Sequence, residues 1–83
     1  MKLRYFAWLR TRIGRGEERL DPPAEVATVA DLLRWLPSQG PGYAAALADP
    51  KVVRVAVNQT YVGPDHAIGP GDEVALFPPV TGG

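Results

Sequence analysis

Cysteine is absent from the 83 residues of this chain. Its absence excludes disulfides, thiolate metal sites, cysteine nucleophiles and a persulfide carried on a side chain. The one histidine, His66, has no second ligand type near it, so we predict a structural role and no metal site. No apolar run approaches the roughly 20 residues of a membrane span, and no apolar targeting region follows Met1. We therefore expect a single cytoplasmic domain over residues 1–83 that does not bind membranes.

The charges balance to zero overall, but residues 1–20 carry six basic side chains against Glu17 and Glu18. Nucleic acid is not the predicted partner, because the basic groups are few and no aromatic residues lie between them in the turn. The glycines form no phosphate-binding motif, since none precedes a helix with the required Lys and Ser/Thr. The chain itself is thus expected to bind no cofactor. Arg10 stands out because it is predicted to lie at the end of a strand whose outward residues Phe6 and Trp8 are apolar.

Apolar and polar periodicity predicts a hairpin, a helix and further strands. Residues 3–9 alternate as a strand that is apolar on both faces, residues 14–16 turn, and residues 18–21 return as an edge strand. Thr28 and Asp31 form a variant of the capping box at the start of a helix that Pro37 ends. A short helical turn is expected at residues 43–48.

The second half of the chain reads as strands and turns. Residues 52–57 are rich in β-branched side chains, residues 61–62 form a brief strand, and residues 73–77 form the last one. The predicted fold is α+β, with a mixed sheet of four to five strands and one main helix packed across one face.

Residues 78–83 are expected to form a flexible tail that ends in two glycines. Gly82 and Gly83 have no Cβ, so they can enter a channel that is too narrow for other residues. Pro78 and Pro79 fix their φ angles and start the tail in an extended form, and Val80 and Thr81 complete it. The Gly83 carboxylate is inert to nucleophiles until another enzyme activates it, and we expect the activated form to be an acyl-adenylate.

The order of elements resembles the ubiquitin-like β-grasp fold. The match is most specific at residues 57–60 (Val-Asn-Gln-Thr), residues 65–66 (Asp-His) and residues 71–83 (Gly-Asp-Glu-Val-Ala-Leu-Phe-Pro-Pro-Val-Thr-Gly-Gly). These segments are similar to the small subunits of molybdopterin synthase, the MoaD type. Related sulfur carriers of the thiamine pathway share the fold and the two glycines, but typically lack the Phe-Pro-Pro-Val segment.

The resemblance implies a sulfur carrier that is not an enzyme on its own. Gly83 would be adenylated by a ubiquitin-activating-type adenylyltransferase with ATP and Mg²⁺, and a sulfur donor enzyme would convert it to a thiocarboxylate. The tail would then enter the large synthase subunit and give its sulfur to a pyranopterin precursor in molybdenum cofactor biosynthesis. The family suggests an assembly of four chains, two of them large subunits.

The same resemblance places a docking surface beside the tail. In a β-grasp fold the first and last strands are parallel neighbours, so Phe6 and Trp8 would lie next to Ala75 and Phe77. With Tyr61 and Arg10, they would form the surface that binds both the activating enzyme and the large subunit. Trp8 is less typical of the family, and it could equally be covered by the side chain of Arg10 or Arg54.

Other functions fit the same pattern. The sulfur could be destined for tRNA thiolation, thiamine or cysteine biosynthesis. The chain could also be a protein modifier that is conjugated to lysines through Gly83, or an interaction domain whose tail has no chemistry.

Overall fold

The first and last strands of the chain lie side by side in a five-stranded mixed sheet, with strand order β2-β1-β5-β3-β4. The computed structural model describes residues 1–79. The strands are β1 (Lys2–Tyr5), β2 (Glu17–Arg19), β3 (Arg54–Val57), β4 (Thr60–Val62) and β5 (Glu73–Phe77). In the same part of the chain the α-helices are α1 (Ala7–Ile13), α2 (Val29–Trp35) and α3 (Pro41–Ala46), with 3₁₀ turns at Leu36–Gln39 and Pro50–Val52.

Strands β1 and β5 are parallel, in register from Lys2 opposite Glu73 to Tyr5 opposite Leu76. The pairs β1–β2, β3–β4 and β3–β5 are antiparallel. This topology confirms the predicted mixed β-grasp sheet, including the brief strand around Tyr61. The bounds of the last strand agree with the prediction from the sequence.

The prediction of a strand over residues 3–9 is wrong beyond Tyr5. The backbone N–H of Phe6 still donates to the carbonyl of Leu76 at 3.1 Å, but Ala7 has a φ of 55° and the chain leaves the sheet. Helix α1 follows, fully buries Leu9 and ends at Gly14, whose φ is 93°. A segment that is apolar on both faces of a strand is also compatible with a buried helix. Its periodicity therefore could not distinguish a strand from a helix.

The fold therefore has more helix than the single main helix that was predicted. Helix α1 packs against α3, so the α1 residues cover the core instead of extending the hairpin. Helix α3 corresponds to the predicted helical turn, although it begins at Pro41. The core lies between these helices, α2 and the inner face of the sheet, and its largest fully buried side chains are Tyr5, Leu3, Leu9, Leu32, Leu36, Leu76, Val29 and Val74.

Helix α2 begins with the capping box that the sequence predicts. The N–H of Asp31 donates to Oγ1 of Thr28 at 3.2 Å, and the N–H of Thr28 donates to Oδ2 of Asp31 at 3.2 Å. Two of the free N–H groups at the helix start are thereby satisfied. The α-helical part ends at Trp35, and Pro37 lies in the 3₁₀ turn that follows.

The tail begins at Pro78 and Pro79, both partly buried at the end of β5. The predictions made for Val80, Thr81, Gly82 and Gly83 lie outside the described residues. Among residues 1–79, the helices are too short or too polar to cross a membrane.

Thr28→Ala should lower the free energy of unfolding by about 1 kcal/mol, because it removes the capping hydroxyl from α2. Thr11→Ala is the matched control, since Thr11 is exposed within α1 and alanine is the better helix former there. Urea unfolding followed by circular dichroism measures both variants. Equal stability of the two would contradict a stabilising role for this cap.

Candidate docking face and tail root

The face of the sheet that points away from the helices carries the candidate site. Along β5, Val74 and Leu76 are buried in the core, so Glu73, Ala75 and Phe77 belong to the opposite, outer face. Residues directly opposite in register share a face. Arg4 lies opposite Ala75 and Arg54 lies opposite Phe77, so both arginines belong to the outer face as well.

An apolar patch occupies the end of this face where β1 and β5 finish. We define the patch as Phe6, Tyr61, Phe77, Ala56 and Ala75. Tyr61 is 75% exposed and Phe6 is 40% exposed, while the rings of Tyr61 and Phe77 lie 5.2 Å apart in a tilted contact. Ala56 is opposite both Tyr61 and Ala75 in register. Ala56 is only 5% exposed although it does not belong to the core cluster. Its neighbours on the patch therefore cover it.

A shallow cavity of about 210 Å³ opens within the patch, between strands β3, β4 and β5. It is lined by Arg54, Val55, Tyr61, Val62 and Phe77. The walls are almost entirely apolar, with one cation on the rim. Such a cavity can accept an apolar side chain of another protein, in the way that central interface pockets do.

Phe6 joins the patch through its position at the end of β1. Its N–H bonds to Leu76, next to Phe77, and the guanidinium of Arg4 lies 5.3 Å from the centre of its ring. Because Arg4 is on the outer face, this contact places the Phe6 ring on that face too. Phe6, Tyr61 and Phe77 therefore share the outer face, with Tyr61 and Phe77 in direct contact, and their role in partner binding stays a prediction.

The other end of the outer face is polar and holds two ion pairs. Lys2 pairs with Glu17 at 3.3 Å, and Arg4 pairs with Glu73 at 3.6 Å. Exposed ion pairs of this kind add little stability. Their effect here is to border the apolar patch with charges that already have partners.

The predicted place of Arg10 at the end of a strand is wrong, because Arg10 lies on α1. Its side chain lines a second, more polar cavity of about 190 Å³, together with Arg4, Phe6 and Glu17. Arg10 does not line the cavity between Tyr61 and Phe77. It therefore flanks the patch on the Phe6 side.

Trp8 is not on the outer face beside Ala75 and Phe77, as the strand prediction required. It lies on α1, is partly buried and packs against the core. The guanidinium of Arg12 lies 4.9 Å from its ring, so the arginine that covers it is neither Arg10 nor Arg54.

The tail root lies beside the patch for a topological reason. Because β1 and β5 are parallel, their carboxyl ends meet at the same end of the sheet. Phe6 follows β1 there, and Pro78 follows Phe77 there. A protein that covers the patch is thus within reach of residues 78–83, which can extend roughly 20 Å at 3.3–3.6 Å per residue.

A buried carboxylate fixes the residue that precedes Phe6. The hydroxyls of Tyr5 and Tyr43 both donate to Oε2 of Glu18, at 2.7 Å and 2.6 Å, and Arg15 donates to Oε1 at 3.0 Å. The Glu18 side chain is only 8% exposed. These contacts join β1, β2 and α3, and so hold the end of β1 in place under the patch.

The same cluster changes the acidity of its phenols. Burial away from water, followed by the hydrogen bond to the Glu18 carboxylate, raises the pKa of Tyr5 far above its ordinary value. Burial and the same carboxylate raise the pKa of Tyr43. Sequence patterns did not identify this cluster, because Glu18 and Tyr43 are 25 residues apart and become neighbours only when α3 packs on α1.

His66 is exposed, and its backbone carbonyl accepts the N–H of Val29 at 3.0 Å. In the described part of the chain, no three His, Asp or Glu side chains are grouped to hold a metal ion. Among residues 1–79, the candidate site consists of the apolar patch, its cavity and the root of the tail.

Comparisons with known proteins agree on one family. The model of the ThiS family matches residues 3–83. The chain is 42% identical over 83 residues to the molybdopterin synthase sulfur carrier subunit of Escherichia coli, covering 100% of this chain and 99% of that protein. The subunit of the same name from Haemophilus influenzae is 39% identical over 79 residues, covering 95% of this chain and 94% of that one. The crystal structure of SAMP1 from Haloferax volcanii has a TM-score of 0.77 at 33% identity, covering 100% of this chain and 98% of that chain.

Stability should fall as the pH rises above about 10, the ordinary pKa of tyrosine. In the unfolded chain Tyr5 and Tyr43 then lose their protons, while in the folded chain their raised pKa values keep them protonated. In this pH range the folded state binds more protons than the unfolded state. The free energy of unfolding therefore falls progressively as the pH rises.

Tyr43→Phe should make this alkaline decline shallower, because one of the two phenols is gone. Tyr61→Phe removes a mostly exposed hydroxyl outside the cluster and should follow the wild-type curve. Urea unfolding at a series of pH values measures the slopes. If Tyr43→Phe declines as steeply as the wild type, the cluster does not control the alkaline limit.

Proposed function

Since the chain belongs to the ThiS family, we propose that it is a sulfur carrier in molybdenum cofactor biosynthesis, the carrier subunit of a molybdopterin synthase. The 42% identity to the Escherichia coli subunit of that name, over the full length of both chains, is the observation that carries this proposal. The Phe-Pro-Pro-Val segment at residues 77–80 supports the same branch of the family over the thiamine carriers. With no cysteine in its 83 residues, the chain needs a group other than a thiol to hold sulfur.

That group is the Gly83 carboxyl. An activating enzyme of the ubiquitin-activating type, using ATP and Mg²⁺, transfers AMP to the carboxylate and releases pyrophosphate. Sulfur at the oxidation level of sulfide, supplied by a donor enzyme, then displaces AMP and leaves a thiocarboxylate. Nucleotide and metal are bound by the partner, which is consistent with the lack of a phosphate-binding motif in this sequence.

Delivery of the sulfur uses the tail. Pro78 and Pro79 restrict the backbone as it leaves β5, which reduces the entropy lost when the tail enters a partner. Val80 and Thr81 continue the tail, and Gly82 leaves room for the partner's groups around the acyl carbon of Gly83. In the synthase, the thiocarboxylate sulfur forms a bond to the pyranopterin precursor, and water then cleaves the bond between that sulfur and the acyl carbon of Gly83, which regenerates the carboxylate. The two sulfurs of the dithiolene require two loaded carriers.

The partners follow from this reaction sequence. The large synthase subunit binds the carrier during transfer, and by the resemblance to the family the complex contains two copies of each chain. The activating enzyme binds the same carrier at a different stage. Both need the Gly83 carboxyl, so both must approach the end of the sheet where the tail begins.

The apolar patch is the docking surface for these partners. Tyr61 and Phe77 contact each other, remain accessible and border a cavity of about 210 Å³. Phe6 extends the patch across β1, and Arg10 flanks it from α1. A solvent-exposed aromatic cluster beside the reactive tail is typical of a binding surface.

A second function is favoured by one observation. The structure of SAMP1 from Haloferax volcanii has a TM-score of 0.77 with this chain. A further structure from the same organism carries the full name, small archaeal modifier protein 1. Conjugation of this chain to lysines through Gly83 would use the same activation. It would produce slower-migrating protein bands that disappear when Gly83 is deleted.

Intact-mass spectrometry of the protein from its own cells should show a form heavier by the difference between one sulfur and one oxygen atom. The heavier form should be lost from the variant that lacks Gly83, which is the control. Incubation with ATP, a sulfur donor and the activating enzyme should restore it in the wild type. If only the free acid is found under all these conditions, the carrier function is excluded.

Tyr61→Ala should weaken binding to the large subunit by about tenfold or more, the loss expected for an aromatic residue at an interface centre. Its effect on folding should be small, because Tyr61 is 75% exposed. Val52→Ala is the control, since Val52 is a 38% exposed apolar residue outside the patch. Isothermal titration calorimetry measures both affinities, and equal losses would show that the patch is not the docking surface.

A further inference from the structure

Arg54 occupies a distinctive position on the outer face. It is exposed and begins β3 directly opposite Phe77, the last residue before the tail. Its side chain forms part of the wall of the cavity that Tyr61 and Phe77 border. An apolar side chain that enters this cavity must therefore come close to Arg54.

The charge of Arg54 has no counterpart in the described structure. Within residues 1–79, the cations in ion pairs are Lys2, Arg4, Arg15 and Arg34. Arg54 instead donates through Nη1 to the backbone carbonyl of Lys51 at 2.9 Å. This bond holds the side chain in one arrangement and leaves most of its N–H donors available.

We propose that Arg54 selects the partner that covers the patch, by pairing with an Asp or Glu carboxylate beside the apolar side chain that fills the cavity. The proposal rests on the proposed function, and it commits to one occupant, the large synthase subunit. The contact would be a charge-assisted hydrogen bond on the rim of an apolar interface. It would thus add selectivity to a patch whose aromatic side chains accept many apolar partners.

Three features support a carboxylate as the group that Arg54 meets. A planar guanidinium matches a carboxylate with two parallel hydrogen bonds. The bond to Lys51 already orders the side chain, so less conformational entropy is lost when the partner binds. The other residues that line the cavity, Val55, Tyr61, Val62 and Phe77, carry no charge that could neutralise Arg54. A partner without an anion there would cover a cation and leave it unpaired, which is costly.

The test measures binding of the full-length chain to the large synthase subunit of the same organism, by isothermal titration calorimetry at low and at high salt. Arg54→Glu should weaken binding at low salt by about tenfold or more, because it places a like charge against the partner's carboxylate. Arg54→Gln keeps a polar side chain that can donate a hydrogen bond but loses the charge, so it should weaken binding less. It should also make the affinity less dependent on salt than that of the wild type.

Arg19→Glu is the matched control. Arg19 is opposite Lys2 on the same outer face, is exposed and has no ion pair within residues 1–79. It lies on β2, three strands from β3, roughly 14 Å away across the sheet. It makes the same change in net charge, so a general charge effect would appear in both variants. The Arg19 variant should bind within about twofold of the wild type.

The outcomes separate this proposal from the proposed function. If the wild type binds and Arg54→Glu binds as well as Arg19→Glu, the role of Arg54 is refuted and the carrier function stands. If the wild type itself does not bind the large subunit, the proposed function fails, and the role of Arg54 fails with it. Should Arg54→Glu fold poorly by circular dichroism, Arg54→Gln decides: affinity and salt dependence equal to those of the wild type refute the proposal. Recovery of Arg54→Glu binding by one Asp→Lys or Glu→Lys change in the partner would identify the paired carboxylate.

Discussion

The parallel pairing of β1 with β5 is the constraint on which the rest of this structure depends. It joins the first strand of the chain to the last, and it places the carboxyl ends of both at one end of the sheet. Phe6, Phe77 and the tail root become neighbours only because of this pairing. An antiparallel arrangement of the same two strands would put Phe6 and Pro78 at opposite ends. In the proposed function, one surface could then no longer serve both partner docking and sulfur delivery.

The two faces of the sheet have separate tasks. The inner face carries the core, in which Leu3, Val74 and Leu76 are fully buried. The outer face contributes an aromatic surface that folding leaves accessible. In a domain of this size little stability is in excess, so an exposed aromatic side chain such as Tyr61 is better explained by binding than by folding.

Sequence patterns could predict the elements whose signals are local. The alternation of residues 73–77 and the Thr28–Asp31 cap describe a strand and a helix start without reference to the remainder of the chain. The segment after Tyr5 could not be assigned in this way, since its apolar residues suit a strand or a helix equally. The decision depends on the packing of α1 against α3. Phe6, Tyr61 and Phe77 could be placed on one face from the expected pairing of the strands alone. Arg10, Trp8 and the Glu18 cluster could not be placed in this way. Their positions follow from helix α1, which the sequence pattern did not predict, and from its packing against α3.

A carrier that passes between enzymes is limited in how tightly it can bind any one of them. In the proposed function the activating enzyme and the large subunit both need the Gly83 carboxyl, so they compete for one end of one sheet. Each complex must form and then dissociate, and dissociation slows as the buried apolar surface grows. Enlarging the patch would strengthen both complexes alike and would distinguish neither. A charged side chain at the rim, such as Arg54, has a different effect, because it favours the partner that presents a carboxylate and disfavours one that does not. A compact aromatic patch bordered by a cation is therefore a physically reasonable arrangement for a protein that must be both selective and released.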